Sequence, residues 1–141
     1  MFDNHDTTTT TRTRKVLYWV ATVFTAFAFA ALALANLTRA PQVMAGLTRL
    51  GYPPIVATIL GMWKVLGAIA ILIAGWPRLK EWAYAGMFFV LSGAAVSHAA
   101  HGDPFGNVLV PLVLLAFVMT SWGLQPARNA AVAPQRAAQP A

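Results

Sequence analysis

The chain has 141 residues, of which 58% are hydrophobic and only 10% are charged, with a net charge of +6 and no cysteine. In soluble domains about a quarter of all residues are charged. This composition therefore excludes an ordinary soluble protein and indicates a single domain in a membrane. The missing cysteines exclude disulfide exchange, thiolate catalysis and cysteine-ligated metal or iron–sulfur centres. The basic residues form short clusters and no continuous basic face, so we expect no nucleic-acid partner.

Four apolar runs follow a polar, threonine-rich segment, residues 1–15, which is predicted to be a disordered tail. The runs cover about residues 16–37, 54–75, 82–100 and 108–124, and a helix needs roughly 20 residues to cross the hydrocarbon core. None of them alternates with period two, which disfavours a β-barrel. The sequence therefore predicts an all-α, transmembrane four-helix bundle over residues 16–125, followed by a disordered Ala-, Pro- and Gln-rich tail over residues 126–141.

The first run has one alternative interpretation, a cleaved signal peptide. It follows basic residues and ends in "ALAN", where Ala33 and Ala35 suit a cleavage site. The apolar part of a signal peptide is only about 7–15 residues long, however, and this run is longer. A retained helix is therefore favoured.

The distribution of basic residues predicts the orientation of the bundle. If four helices span the membrane, one side holds only Arg39 and Arg49. The other side holds the larger basic set, which is Arg12, Arg14, Lys15, Arg78, Lys80, Arg128 and Arg136. By the positive-inside rule both termini face the cytoplasm, and Trp76 and Trp82 mark the membrane interface beside the middle loop.

Small residues at helical spacing predict close contacts between helices. Ala57 and Gly61 form one such pair in the second run, and Gly93 and Ser97 form another in the third run, with Gly86 before them. Spacing of this kind lets two helix backbones approach closely inside a membrane.

Lys64 is the residue that the pattern explains least, because it lies near the middle of the apolar stretch "ILGMWKVLGAIAILIAG". Counted from Pro54 it is roughly 15 Å deep, where a charge costs at least about 2.5 kcal/mol. The four runs contain no aspartate or glutamate to pair with it. It therefore either serves a site or only caps exposed carbonyl groups, partly neutralised by its burial, and we favour a site.

The side chain of Lys64 is predicted to join a polar cluster. Helical side chains lean toward the N-terminus of their helix, which directs the ammonium toward the outer side. The motif "SHAAHGD" places Ser97, His98, His101 and Asp103 there, with Asn36 and Asn107 beyond. The two histidines and the carboxylate form at most a weak metal set, and haem would need histidines on facing helices, so no metal is assigned.

One acidic residue, Glu81, directly precedes the third run. A carboxylate at that point suits the positive end of the helix dipole, so Glu81 is given a structural role. "GDPFG" is a turn signal and no more.

Several segments together resemble the DoxX-like family of small bacterial membrane proteins with four helices. They are "LGYPP", "LGMWKVLGAIAIL", "RLKEWAYAGMFF" and "SGAAVSH", and the resemblance covers about residues 16–125. Lys64 and the run that contains Glu81, Trp82, Tyr84 and Gly86 make it fairly specific. The family often has an acidic residue shortly after this run, whereas Val90 stands near that point here.

The resemblance implies a multi-pass protein of the cell inner membrane. Relatives are described as membrane subunits of quinone-linked, sulfur-oxidising oxidoreductases or as partners in oxidative-stress complexes. The resemblance therefore favours an accessory or scaffold subunit over an enzyme acting alone, and the cofactor and partner that it suggests are a quinone and a membrane or redox protein. A small-solute transporter or channel working as a homo-oligomer, and a structural partner that binds no ligand, are the alternatives.

Overall fold

The computed structural model describes residues 5–73 and 75–126, and this part of the chain consists of helices joined by short turns without a strand. The described residues form five helices in chain order, which are α1 (His5–Leu37), α2 (Pro41–Arg49), α3 (Ile55–Leu72), α4 (Pro77–Ala100) and α5 (Phe105–Gly123). All except the short α2 are long and apolar enough to cross a membrane, α1 from Arg12 onward. The prediction of an all-α bundle with four membrane-length helices is confirmed.

The helix boundaries differ from the predicted ones at three places. α1 begins at His5, where the sequence predicted a disordered tail as far as residue 15, because a formed helix extends through neighbouring residues at little cost. α4 begins at Pro77, since proline suits the first turn of a helix. The helix α2 was not predicted at all. Residues 1–4 and 127–141, to which the predicted tails extend, lie outside the described residues.

The four long helices form a ring in which each contacts two neighbours. α1 packs against α3 and α5, and α4 packs against the same two helices from the opposite corner. The buried core consists of Ala26, Phe29, Ala68, Ile71, Tyr84, Met87, Leu91 and Val118. These residues lie largely in the half of the bundle toward the two chain termini. We call this half the terminal end. The opposite end, with α2 and the α4–α5 turn, is called the α2 end.

Gly61 allows α1 and α3 to approach closely at the α2 end. Ala57 and Gly61 are buried, and a Cβ at Gly61 would lie 2.7 Å from Cγ of Leu37 and 3.2 Å from Cβ of Asn36. The predicted contact at Ala57 and Gly61 is therefore confirmed.

The second predicted contact, at Gly93 and Ser97 of α4 with Gly86 before them, is wrong at both glycines. Both glycines are exposed, and nothing lies within 4 Å of a Cβ built at either. Gly93 borders a cavity at the α2 end and nothing packs against Gly86, whereas larger side chains such as Met87 and Leu91 fill the contact of α4 with the core. Small-residue spacing alone does not show which face of a helix meets a neighbour.

Candidate ligand-binding cavity

A cavity of about 830 Å3 lies at the α2 end, and all five helices contribute to its wall. Its wall contains both polar and apolar side chains. The polar side chains that line it are Asn36, Gln42, Arg49, Tyr52, Lys64, Ser97, His98, Asp103 and Asn107. The aliphatic and aromatic residues of its wall include Leu32, Val43, Leu47, Val56, Leu60, Phe89, Val110 and Leu114.

Lys64 projects into this cavity and is held by Asn36. The ammonium Nζ of Lys64 donates a hydrogen bond to Oδ1 of Asn36 over 3.0 Å. Asn36 lies in the last turn of α1 and is only 4% exposed, while Lys64 is half-buried. Because a helical side chain leans toward the N-terminus of its own helix, Lys64 of α3 reaches toward the α2 end, where α1 finishes. The close approach at Gly61, one turn away on α3, brings Asn36 within reach.

Asp103 links two basic side chains at the rim of the cavity. His98 Nδ1 donates to Oδ2 of Asp103 over 2.5 Å, and Arg49 forms an ion pair with Oδ1 of the same carboxylate. The carboxylate side chain is only 4% exposed. The chain reverses at Gly102, whose φ of +69° favours glycine, and this turn brings Asp103 back onto the end of α4.

The hydrogen bond from His98 and, after it, the neighbouring Arg49 guanidinium lower the pKa of Asp103 below its usual value, although partial burial opposes them. A carboxylate with two such partners stays ionised. We call Arg49, His98 and Asp103 the rim cluster. The negative charge of Asp103 is therefore matched by its two basic partners within this cluster.

α2 covers part of the cavity and is fixed to the bundle at its C-terminal side. Arg49, its last residue, contacts Asp103, and Tyr52 shortly beyond it shares a hydrogen bond with Ser97 of α4 over 3.1 Å. Arg39 before the helix and Gly51 after it have φ values of +53° and +78°, so the backbone turns sharply on both sides. No residue of α2 is fully buried.

The structure brings together most of the predicted site residues. Lys64, Ser97, His98 and Asp103 all line the cavity, and so do Asn36 and Asn107. His101 does not line it and lies exposed at the end of α4. Among the described residues there is no group of three potential metal ligands from His, Cys, Asp and Glu.

Sequence reasoning missed Arg49, Tyr52 and the helix α2. Arg49 was used only as an indicator of orientation, and Tyr52 only as part of a resemblance. The signal that was available is the segment of residues 41–49, in which proline at the first helical position is followed by apolar residues on one face. Val90, at the position where the family often has an acid, also lines the cavity.

A second polar cluster lies in the terminal half of the bundle and is fully internal. Ser121 Oγ shares hydrogen bonds with Thr22 Oγ1 over 2.6 Å and with the Tyr84 hydroxyl over 2.7 Å. Nearby, Nζ of the buried Lys80 donates to the Tyr18 hydroxyl over 3.2 Å. These contacts join α1 and α4 to α5 and to each other, so we assign this second polar cluster a structural role.

Glu81 has a partner that differs from the predicted one. Because α4 begins at Pro77, Glu81 lies beyond its first turn, so the interpretation as a helix-dipole partner is wrong. Its Oε2 instead accepts a hydrogen bond from the indole nitrogen of Trp122 over 2.7 Å, joining α4 to α5. Trp82 beside it is 80% exposed on the outer surface.

The length and apolarity of the four long helices define a multi-pass helical membrane protein. The DoxX-like family matches residues 20–121, which is well over half of the chain. The chain therefore belongs to the DoxX-like family. No curated protein and no solved structure matches it.

Proposed function

We propose that this protein is an accessory or scaffold subunit of the inner membrane in quinone-linked redox or oxidative-stress metabolism, and that its cavity binds the quinone. The observation that supports this most directly is the composition of the cavity wall. Several hydrogen-bonding side chains line it together with many aliphatic and aromatic ones, which is the combination that an amphipathic ligand with a polar ring and an apolar tail requires.

Each polar residue has a chemical role in this proposal. Lys64 supplies an ammonium donor for a ring carbonyl, and Asn36 fixes the position of that ammonium. His98 supplies an imidazole at the cavity, and Asp103 orients its ring through Nδ1. The aliphatic side chains receive the tail. Bound quinone would supply the electron chemistry, so the chain acts with a redox partner and not as an enzyme alone.

The orientation belongs to the same proposal. The positive-inside rule places the terminal end in the cytoplasm. The α2 end and the cavity then face the outer side of the inner membrane, where a quinone enters from the bilayer or a partner protein meets α2.

The test is a titration of the purified protein in neutral-lipid nanodiscs with decylubiquinone, followed by tryptophan fluorescence. We expect saturable quenching that corresponds to one quinone per chain, and its loss in the variant Lys64→Met. Lys15→Met is the matched control, because Lys15 is an exposed lysine near the other end of the bundle. Folded wild-type protein without saturable binding, or equal binding by both variants, would refute the proposal.

A further inference from the structure

We infer that the cavity binds a single-chain amphiphile with a carboxylate headgroup, and that Lys64 and Asn36 hold the carboxylate. This adds a second class of ligand to the proposed function and rests on it only in using the same cavity. The inference depends on the charge of Lys64, on the hydrogen-bond donors of Lys64 and Asn36, and on the apolar lining and volume of the cavity.

The charge of Lys64 has no counterpart in the cavity. The membrane-length segments of the described helices, α1 being counted from Arg12, carry no carboxylate except Glu81, which accepts from Trp122 at the terminal end. Asp103 is the acidic residue of the cavity wall, and it is already engaged by Arg49 and His98. Lys64 is left with the neutral amide oxygen of Asn36. Charges inside a membrane protein are normally paired, so a ligand that brings a negative charge would complete this site.

The hydrogen-bonding groups at this point match a carboxylate. The ammonium of Lys64 has three N–H donors, of which one is directed to Asn36. The same asparagine carries an amide nitrogen with two N–H donors. A carboxylate offers two oxygens that can accept from both residues at once, whereas an ester or alcohol offers a weaker, uncharged acceptor.

The rest of the wall is suited to an alkyl chain. Leu32 of α1, Val56 and Leu60 of α3, and Val110 and Leu114 of α5 all line the cavity with apolar side chains. The volume of about 830 Å3 lies within the range of about 300–1,000 Å3 that small-molecule sites occupy.

The test uses tritiated palmitate and the purified full-length protein in phosphatidylcholine nanodiscs, read by scintillation proximity. We expect saturable binding of palmitate, with methyl palmitate competing at least about tenfold less well because its headgroup is uncharged. The variant Lys64→Met should lose binding by a similar factor.

A second pair of variants keeps Lys64 in place. Leu60 lines the cavity four residues before Lys64 on α3, so Leu60→Glu puts a carboxylate at the spacing that favours an ion pair with that lysine. We expect Leu60→Glu to lose palmitate binding because the protein then supplies the counter-charge itself. Leu60→Gln has the same size as Leu60→Glu without the charge, so it measures the loss of the apolar side chain alone, and it should bind palmitate more tightly than Leu60→Glu.

Equal competition by palmitate and methyl palmitate, or equal loss of binding in Leu60→Glu and Leu60→Gln, would overturn this inference. Binding of decylubiquinone in the same nanodiscs would then leave the proposed function standing, whereas failure of both ligands to bind folded protein would remove both. Loss of palmitate binding when the nanodiscs also contain phosphatidylglycerol would show that the site takes a lipid headgroup and would overturn the single-chain assignment.

Discussion

Gly61→Ala tests the close approach of α1 and α3 that positions Asn36 beside Lys64. The added Cβ would lie 2.7 and 2.8 Å from Cγ and Cδ2 of Leu37. Carbon atoms in ordinary contact are about 3.5–4.0 Å apart, so Leu37 must move by roughly 0.7 Å or more. Leu37 is exposed and can give way, but Asn36 is buried and its Cβ would be 3.2 Å from the new methyl group. The last turn of α1 must therefore shift.

The expected free energy follows from two opposing effects. Overpacking of this kind costs about 1–3 kcal/mol, and replacing glycine by alanine within a helix returns about 1 kcal/mol. Gly61→Ala should therefore leave the protein up to about 2 kcal/mol less stable. Gly86→Ala is the matched control, since it makes the same exchange within α4 where nothing lies within 4 Å. It should gain about 1 kcal/mol.

The free energy of unfolding of both variants is measured by titration with dodecyl sulfate in mixed micelles, followed by tryptophan fluorescence. We expect Gly61→Ala to unfold at lower dodecyl sulfate than Gly86→Ala, with a difference of about 1–3 kcal/mol between the two. Equal stabilisation of both variants would show that α1 and α3 are farther apart than the structure places them, and the explanation of the Lys64–Asn36 contact would fail.

Three further predictions concern the polar contacts. A double-mutant cycle of Ser121→Ala and Tyr84→Phe should give a coupling free energy of about 0.6–1.7 kcal/mol in the same unfolding assay, because the two hydroxyls share a buried hydrogen bond of 2.7 Å. Wild-type protein should be more stable than Asp103→Asn at neutral pH and should lose this advantage as the pH falls below 3.8, since the folded-state pKa of Asp103 lies below that usual value. Arg49→Gln should raise amide hydrogen exchange in α2 by at most about fivefold, because the ion pair with Asp103 is half-exposed on its arginine side.

Each of these predictions has an outcome that contradicts it. A coupling energy near zero would mean that Ser121 and Tyr84 do not bond inside the bundle. A constant difference between wild type and Asp103→Asn across the acid range would mean that the carboxylate has the same proton affinity when folded and unfolded. Arg39→Gln, at an exposed arginine, is the control for Arg49→Gln. If Arg49→Gln raised exchange in α2 no more than this control does, the ion pair would not hold this helix.

The membrane-length helices were predictable because their signal is local. A run of about 20 apolar residues has one way to satisfy its backbone hydrogen bonds in lipid, which is to form a helix. Lys64 could be recognised as exceptional for the same reason, since its cost depends on depth along its own helix. The direction of its side chain also followed from the helix geometry.

The partners of these residues could not be read from the sequence. Asn36 meets Lys64 because Gly61 lets two helices approach, and Arg49 meets Asp103 because α2 folds back over the α2 end. Gly93 and Ser97 have the same four-residue spacing as Ala57 and Gly61, yet nothing packs closely against Gly93, which borders the cavity. Such pairings depend on how the helices are rotated and ordered around the bundle, and packing over the whole molecule sets that rotation. The sequence by itself determined an apolar four-helix membrane protein with a lysine in the middle of one apolar run. Only the tertiary structure decided that this lysine, an asparagine from α1 and a charge-matched rim line one cavity.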